Sequence, residues 1–227
     1  MTMNRFRPVL FVLPVLLLGL LSACQSAYFA TMEKFGVHKR DILVERVEQA
    51  RESQQQAKEQ FQSTLEAFSA LTGFDGGELE RRYKTLRDQL QASEEQAAQV
   101  RERIVAVEQV AAALFDEWQE ELDQYKSASL RRSSEQQLRD TRNRCDLLVR
   151  SMRRAEQHIE PVLEPLRDQV LYLKHNLNAR AVAALRNELD GIQTDVRRLV
   201  RELEQAVDEA DRFIRQMEPA GQAAKQS

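Results

Sequence analysis

The sequence predicts an all-α protein, an elongated antiparallel bundle or coiled coil of about four long helices. Three observations carry this. From Leu79 to Tyr125, apolar side chains at Leu79, Tyr83, Leu86, Leu90, Ala97, Val100, Ile104, Val107, Ala111, Leu114, Trp118 and Tyr125 follow steps that alternate four and three, with only Ser93 and Glu121 interrupting. A spacing of about 3.5 residues lays one narrow seam along a helix, whereas a strand needs a period of two. Similar seams recur in three further stretches. The composition is that of long helices as well: seven Gly and five Pro in 227 residues, 30% charged and 6% aromatic.

Residues 1–23 have the form of an export signal. Arg5 and Arg7 precede an apolar run from Val9 to Leu21. As a helix that run spans about 20 Å, short of the ~30 Å hydrocarbon core of a bilayer, and Pro14 and Gly19 weaken it further. It ends in Leu21-Ser22-Ala23-Cys24, which resembles the lipobox of bacterial lipoproteins. In that class the cysteine thiol takes a diacylglyceryl group, the leader is cut just before it, and the new amine is acylated. Two or more acyl chains hold a protein on a bilayer stably. Cys24 is therefore the expected lipidation site, and Gln25 after it resembles the pattern that sorts to the outer membrane, facing the periplasm. Residues 24–37 form the expected tether. Its Tyr28, Phe29, Met32 and Phe35 either sit at the membrane interface or cover the base of the bundle.

The helical domain is expected over 38–217. The first helix, from His38 to Leu71, carries Leu43, Val47, Ala50, Ala57, Phe61, Phe68 and Leu71 on its seam, with Gln54 and Thr64 as polar breaks that fix register. Gly73-Phe74-Asp75-Gly76-Gly77 reverses the chain, its glycines supplying positive φ and Phe74 covering the end of the core. The second helix, already described, closes on Asp116-Glu117-Trp118-Gln119-Glu120-Glu121-Leu122-Asp123, which holds five acids and no base.

The third helix opens with the opposite charge. Leu130 to Arg154 contains eight arginines against Glu135, Asp140 and Asp146. A reversal at Lys126-Ser127-Ala128-Ser129, with Ser129 as N-cap, brings Asp123 to Arg131 and Arg132, and Asp116 to Arg139. The seam of this helix is Leu138, Thr141, Cys145, Leu148, Met152, Ala155, Ile159, Val162 and Leu166. Cys145 sits on it as a small core residue. Pro161 and Pro165 force a kink, or a stop and restart, near Ile159. Beyond them Val170, Leu171, Tyr172, Leu173 and Leu177 form a wider apolar face suited to more than one neighbour. Asn178 is the expected N-cap of a fourth helix, whose seam runs from Val182 to Met217 with Gly191 inside it. Residues 218–227 form a polar tail, expected to be disordered.

Chemistry is harder to find. His38, His158 and His175 offer no His-x-x-x-His or Glu-x-x-His pair, and there is no Cys-x-x-Cys and no phosphate-binding Gly-x-x-x-x-Gly-Lys loop. The carboxylates lie among Lys and Arg on helix faces, so none is isolated in an apolar pocket where its pKa would rise. No catalytic residue, metal ligand or cofactor site is expected. A net charge of -3 argues against bulk nucleic-acid binding. The arginine block, with Arg131, Arg132, Arg139 and Arg142 foremost, is the candidate anion-binding site. Its competing reading is pairing with acids of the same chain.

Four strings of the mature chain have a further likeness: 31–43 (TMEKFGVHKRDIL), 114–118 (LFDEW), 129–132 (SLRR) and 173–179 (LKHNLNA). From Tyr28 to about Met217 the chain resembles an uncharacterised family of Gram-negative envelope proteins, a domain of unknown function. The resemblance implies helices and an envelope setting and brings no functional residues. The expectation is a non-enzymatic lipoprotein on the periplasmic face of the outer membrane, acting as a coiled-coil scaffold, spacer or adaptor. Its partners would be the membrane, an envelope protein and a further copy of itself. The alternatives are a membrane-active helical protein opening the apolar region from Val162 to Val182 onto lipid, and an anionic lipid or glycan carrier using the block from Arg131 to Arg154.

Overall fold

A computed structural model describes residues 38–73 and 78–217. Cys24, the tether, Phe74 and the C-terminal tail lie outside them. The described elements are α1 (Lys39–Thr72), α2 (Leu79–Glu121), α3 (Ala128–Gln157), α4 (Glu160–His175) and α5 (Ala179–Met217), with a 3-10 turn over Leu122–Gln124. The chain divides into two compact units, Met1–Ile42 and Leu43–Ser227. Of the first, only the opening turn of α1 is described, where the His38 carbonyl accepts from the amides of Asp41 (2.9 Å) and Ile42 (3.2 Å).

The second unit is an all-α bundle of four long helices, the third of them made of α3 and α4 in succession. Polar pairs fix the neighbours and their directions. On α1 and α2, Gln49 accepts from Arg103 (3.1 Å), the Ser53 carbonyl from Gln96 (3.0 Å) and Gln89 from Gln60 (2.9 Å). Numbers rise on one helix as they fall on the other, so the pair is antiparallel. The same holds for α1 and α5, through Arg51–Asp211 (2.8 Å) and Lys58–Glu204 (3.5 Å), and for α2 and α3, through Trp118–Ser134 (2.8 Å) and Arg153–Glu108 (2.9 Å). Both α3 and α4 lie along α5.

The seams read from sequence are the buried surface. Every seam position of the first helix is buried from Leu43 to Leu71, polar breaks included, and so is the third-helix seam from Leu138 to Leu166. The two kinds of polar break are treated differently. Thr64 and Ser93 meet, Oγ1 to Oγ at 2.8 Å, and Thr64 also donates within reach of the Gln60 and Gln89 carbonyls. Gln54 is fully buried, and neither its amide nitrogen nor its oxygen has a partner. Such a group keeps its full desolvation cost.

The helix ends explain where the chain turns. The last turn of α1 has no base of its own. Arg82 of α2 donates to the Ala70 carbonyl (3.0 Å) and Arg186 of α5 to the Thr72 carbonyl (2.7 Å). Two cations thus occupy the negative end of the helix dipole. Gly73 ends α1 without a left-handed backbone, so the positive φ expected there is not used at this glycine; its amide simply continues to the Ser69 carbonyl (3.1 Å). Ser127, not Ser129, caps α3. Its backbone is extended, its Oγ accepts from the Leu130 amide (3.4 Å), and Ser129 lies already inside the first turn. Asn178 caps α5 as expected, accepting from the Ala181 amide (3.0 Å).

The third long helix stops at Gln157 and restarts at Glu160. Pro161 has no N–H to donate back, and the chain tightens just before it. His158 N–H reaches Ala155 O (3.1 Å) and Ile159 N–H reaches Glu156 O (3.0 Å), both one residue short of α-helical spacing. Pro161 then sits in the first turn of α4, where its missing donor costs nothing. Beyond the break one expectation fails. Val170 and Leu173 are buried, but Leu171, Tyr172 and Leu177 are exposed at 61%, 44% and 37%. The buried face of α4 is confined to Val162, Leu163, Leu166, Val170 and Leu173, and the helices it chiefly packs along are α2 and α5.

Replacing Gln54 with Leu, of similar volume and no polar demand, is expected to stabilise the protein by about 1–2 kcal/mol. Thr64→Val leaves Ser93 without its partner and should cost a similar amount, about 1–2 kcal/mol. Denaturant unfolding of the two variants, read for opposite signs, checks this.

Candidate functional site

The arginine block is the strongest local departure from average composition, and α3 presents it on several faces at once. The four arginines singled out from sequence do not converge. Arg131 is tied to Asp123 across the α2–α3 connection at 2.8 Å, as the hairpin requires. Arg132 is exposed and pairs with no described residue. Arg139 binds Glu135 (2.7 Å) and Gln136 (2.8 Å) on its own helix, not Asp116. The bond between Trp118 Nε1 and Ser134 sets the register, leaving Arg139 on the outer face and Asp116 beside Arg142 in a groove. Arg142 lays its guanidinium over the Phe115 ring, 5.3 Å from the centroid, a cation–π contact.

That groove, about 400 Å³, runs between α2 and α3 over Ala111, Ala112, Phe115 and Val149, with Glu108, Asp116, Asp146, Arg142 and Arg150 around it. Cys145 forms part of its floor. Burial, helped by Asp146, pushes this thiol up to about 12, so it stays protonated at neutral pH. A second groove of about 370 Å³ lies between α3 and α5. Arg150, Arg154 and Arg212 line it with Leu147, Asp208 and Glu209, and Glu209 accepts from Arg212 on the same helix at 2.5 Å.

The remaining arginine chemistry is an ion-pair chain that the sequence did not disclose. Along one side of α2 it runs Glu108–Arg153–Glu156–Arg101–Glu160–Arg167–Glu94. The links are 2.5 Å for Glu108–Arg153, 3.1 Å for Arg153–Glu156, 3.3 Å for each contact of Arg101, and 2.5 Å for Arg167–Glu94. Glu160 and Arg167 close the chain. It crosses the α3–α4 break, with Arg153 and Glu156 before it and Glu160 and Arg167 after. The residues of α2 thus splint the two halves of the interrupted helix. Steps of three, four and seven on the arginine helix could have suggested it, but the cross-helix register could not be fixed to the residue from sequence.

The charges respond to one another. The Arg167 hydrogen bond, opposed by slight burial and helped by Arg101, holds the Glu160 carboxyl below its ordinary value. Glu94, then Glu160, raises Arg167, and Glu108 most strongly raises Arg153. These groups remain partly exposed, so each pair contributes at the surface scale of ~0–1 kcal/mol.

Among the described residues no group of three or more His, Cys, Asp or Glu is placed to hold a metal, and no helix is long and apolar enough to cross a membrane.

A double-mutant cycle on Glu108 and Arg153 is expected to give a coupling of about 0.5–1 kcal/mol that shrinks at high salt. Glu160 carries a lowered folded value, so its contribution is present above the ordinary carboxylate range and is lost as pH falls through that lowered value. An acid stability titration of Glu160→Gln should be correspondingly flatter than that of the wild type.

Residues 28–217 match the family described as a protein of unknown function, DUF2959, and the chain belongs to that family. No curated protein matches the chain.

Proposed function

We propose that this member of the DUF2959 family is a non-enzymatic lipoprotein, anchored through Cys24 on the periplasmic face of the outer membrane. There its bundle serves as a scaffold or spacer for envelope partners. The observation that carries the reading is Leu21-Ser22-Ala23-Cys24 at the end of an apolar leader, close ahead of a helical domain. Two acyl chains or more on one cysteine suffice for stable attachment. The disposition of the carboxylates supports a structural role: Glu94, Glu108, Glu156 and Glu160 are engaged by arginines along α2, α3 and α4. A general acid or base would instead need a carboxyl isolated from such cations and shifted upward.

One specific observation favours a second reading. Arg150, Arg154 and Arg212 come from two helices to line one groove, a better anion cradle than the dispersed set of Arg131, Arg132, Arg139 and Arg142. Phosphate-bearing lipid or glycan is the chemistry it suits, although Asp208 and Glu209 offset part of its charge. Titration with an anionic phospholipid headgroup at low and high salt separates the readings: salt-sensitive binding lost in Arg154→Ala favours the cradle.

The anchor itself is tested by palmitate labelling and membrane fractionation. Wild-type protein should incorporate label and sediment with outer membrane, and Cys24→Ser should do neither. Unlabelled wild-type protein, or a Cys24→Ser variant still on the membrane, removes the anchor.

A further inference from the structure

The helices of the second unit do not end level. Gln49 of α1 bonds to Arg103 of α2, and Arg51 of α1 to Asp211 of α5, so these four residues mark one height in the bundle. Above that height α1 continues back to Leu43, and α5 continues on to Met217, each by about 9 Å at 1.5 Å per residue. From Arg103, α2 runs on to Glu121, about 27 Å at the same rise. The α2–α3 hairpin therefore projects some ~18 Å beyond Leu43 and Met217. It does so at the end of the bundle that carries Leu43 and Met217.

The composition of this projecting tip is unusual for a surface turn. Tyr125 is 41% and Leu130 59% exposed. Lys126, Arg131 and Arg132 stand around them, all exposed. Aromatic and apolar side chains ringed by Lys and Arg match the boundary between lipid headgroups and acyl chains. Tyrosine presents an apolar body with a polar tip there, and long cations reach phosphate. Asp123 of the 3-10 turn is taken up by Arg131, and Glu121, exposed one turn before Tyr125, lines one pocket with Gln124 and Tyr125.

We infer that the α2–α3 tip rests on the phospholipid surface of the membrane that holds the lipidated Cys24, so that the bundle is attached at two points. This rests on the anchor proposed above. The chain between Cys24 and His38 fits the geometry. Fourteen residues reach at most roughly 45 Å at full extension, more than the drop from Leu43 to the tip. Tethering at that distance raises the effective concentration of the tip at the membrane, so a contact too weak to bind alone persists. The bundle is then held with a fixed end toward the bilayer, and the α1–α2 and α4–α5 connections point away.

The test uses the full lipidated protein in phosphatidylethanolamine–phosphatidylglycerol vesicles, with an environment-sensitive fluorophore on Ser129→Cys or, at the opposite end, Lys174→Cys. Cys145 is 1% exposed and escapes labelling. The expected result is a blue shift at 129, with quenching by headgroup-proximal nitroxide lipids, and neither at 174. Changing Tyr125 and Leu130 together to Ser should abolish the shift and the quenching while the protein still floats with vesicles. Flotation without quenching at 129 overturns the tip contact and leaves the anchor standing. Failure to float overturns both. Self-quenching at 129 without vesicles would show that a second copy covers the tip, and the membrane contact would fall.

Discussion

Each helix offers only a narrow apolar stripe, and a narrow stripe has nowhere to go except against another of its kind. A compact globule with a broad core is closed to such a chain, because each helix is polar over most of its circumference. Four stripes facing one axis remove Phe61, Phe68, Leu86, Ile104, Leu148 and Met152 from water together. Parting any one helix re-exposes the stripes of the others. The connections, caps and ion pairs all act on a structure whose main stabilisation comes from that shared axis.

Within this frame, polar interactions choose among alignments that hydrophobic burial alone would leave nearly equal. A heptad seam can slide by a whole repeat and still bury leucines. The Thr64–Ser93 contact, the Trp118–Ser134 bond and the ion-pair chain beside the α3–α4 break each lose their partner on such a slip. Gln54 does not act in this way, since its buried amide has no partner to lose and only costs stability where it sits. The break itself becomes intelligible in these terms. Pro161 removes one backbone bond, and charged contacts to a single continuous neighbour keep the two segments in line.

The fold was legible in the sequence because its signal is periodic and long, so many residues vote for each helix. The same logic predicted the Asp123–Arg131 pair and the Asn178 cap, where a single local geometry is available. Legibility failed where two adjacent residues compete for one role. Ser127 and Ser129 both suit an N-cap, and only the extended backbone at Ser127 decides. At the end of α2 the seam expected through Glu121 and Tyr125 fails: Leu122 is buried while Glu121 and Tyr125 are exposed, because a 3-10 turn shifts the seam by one residue there. Leu171 and Tyr172 read as core from hydropathy, yet burial depends on how many neighbours reach that face. For the candidate site, the charge of α3 was plain, but its partition into paired arginines and groove-lining ones depends on cross-helix register. The expected leader and Cys24 rest on a different kind of signal, since an export and lipidation segment is defined by its linear string and not by a fold.

Cys145 has a consequence beyond packing. Its sulfur lies under the α2–α3 groove, almost without access and strongly reluctant to ionise. Oxidants and disulfide-exchange enzymes act on thiolates they can reach. A folded copy therefore presents them with no usable thiol at this position, while a copy whose α2 and α3 have separated presents one at once. Covalent dimers joined through Cys145 would be a chemical record of molecules that had opened, and their scarcity a measure of how seldom the bundle comes apart.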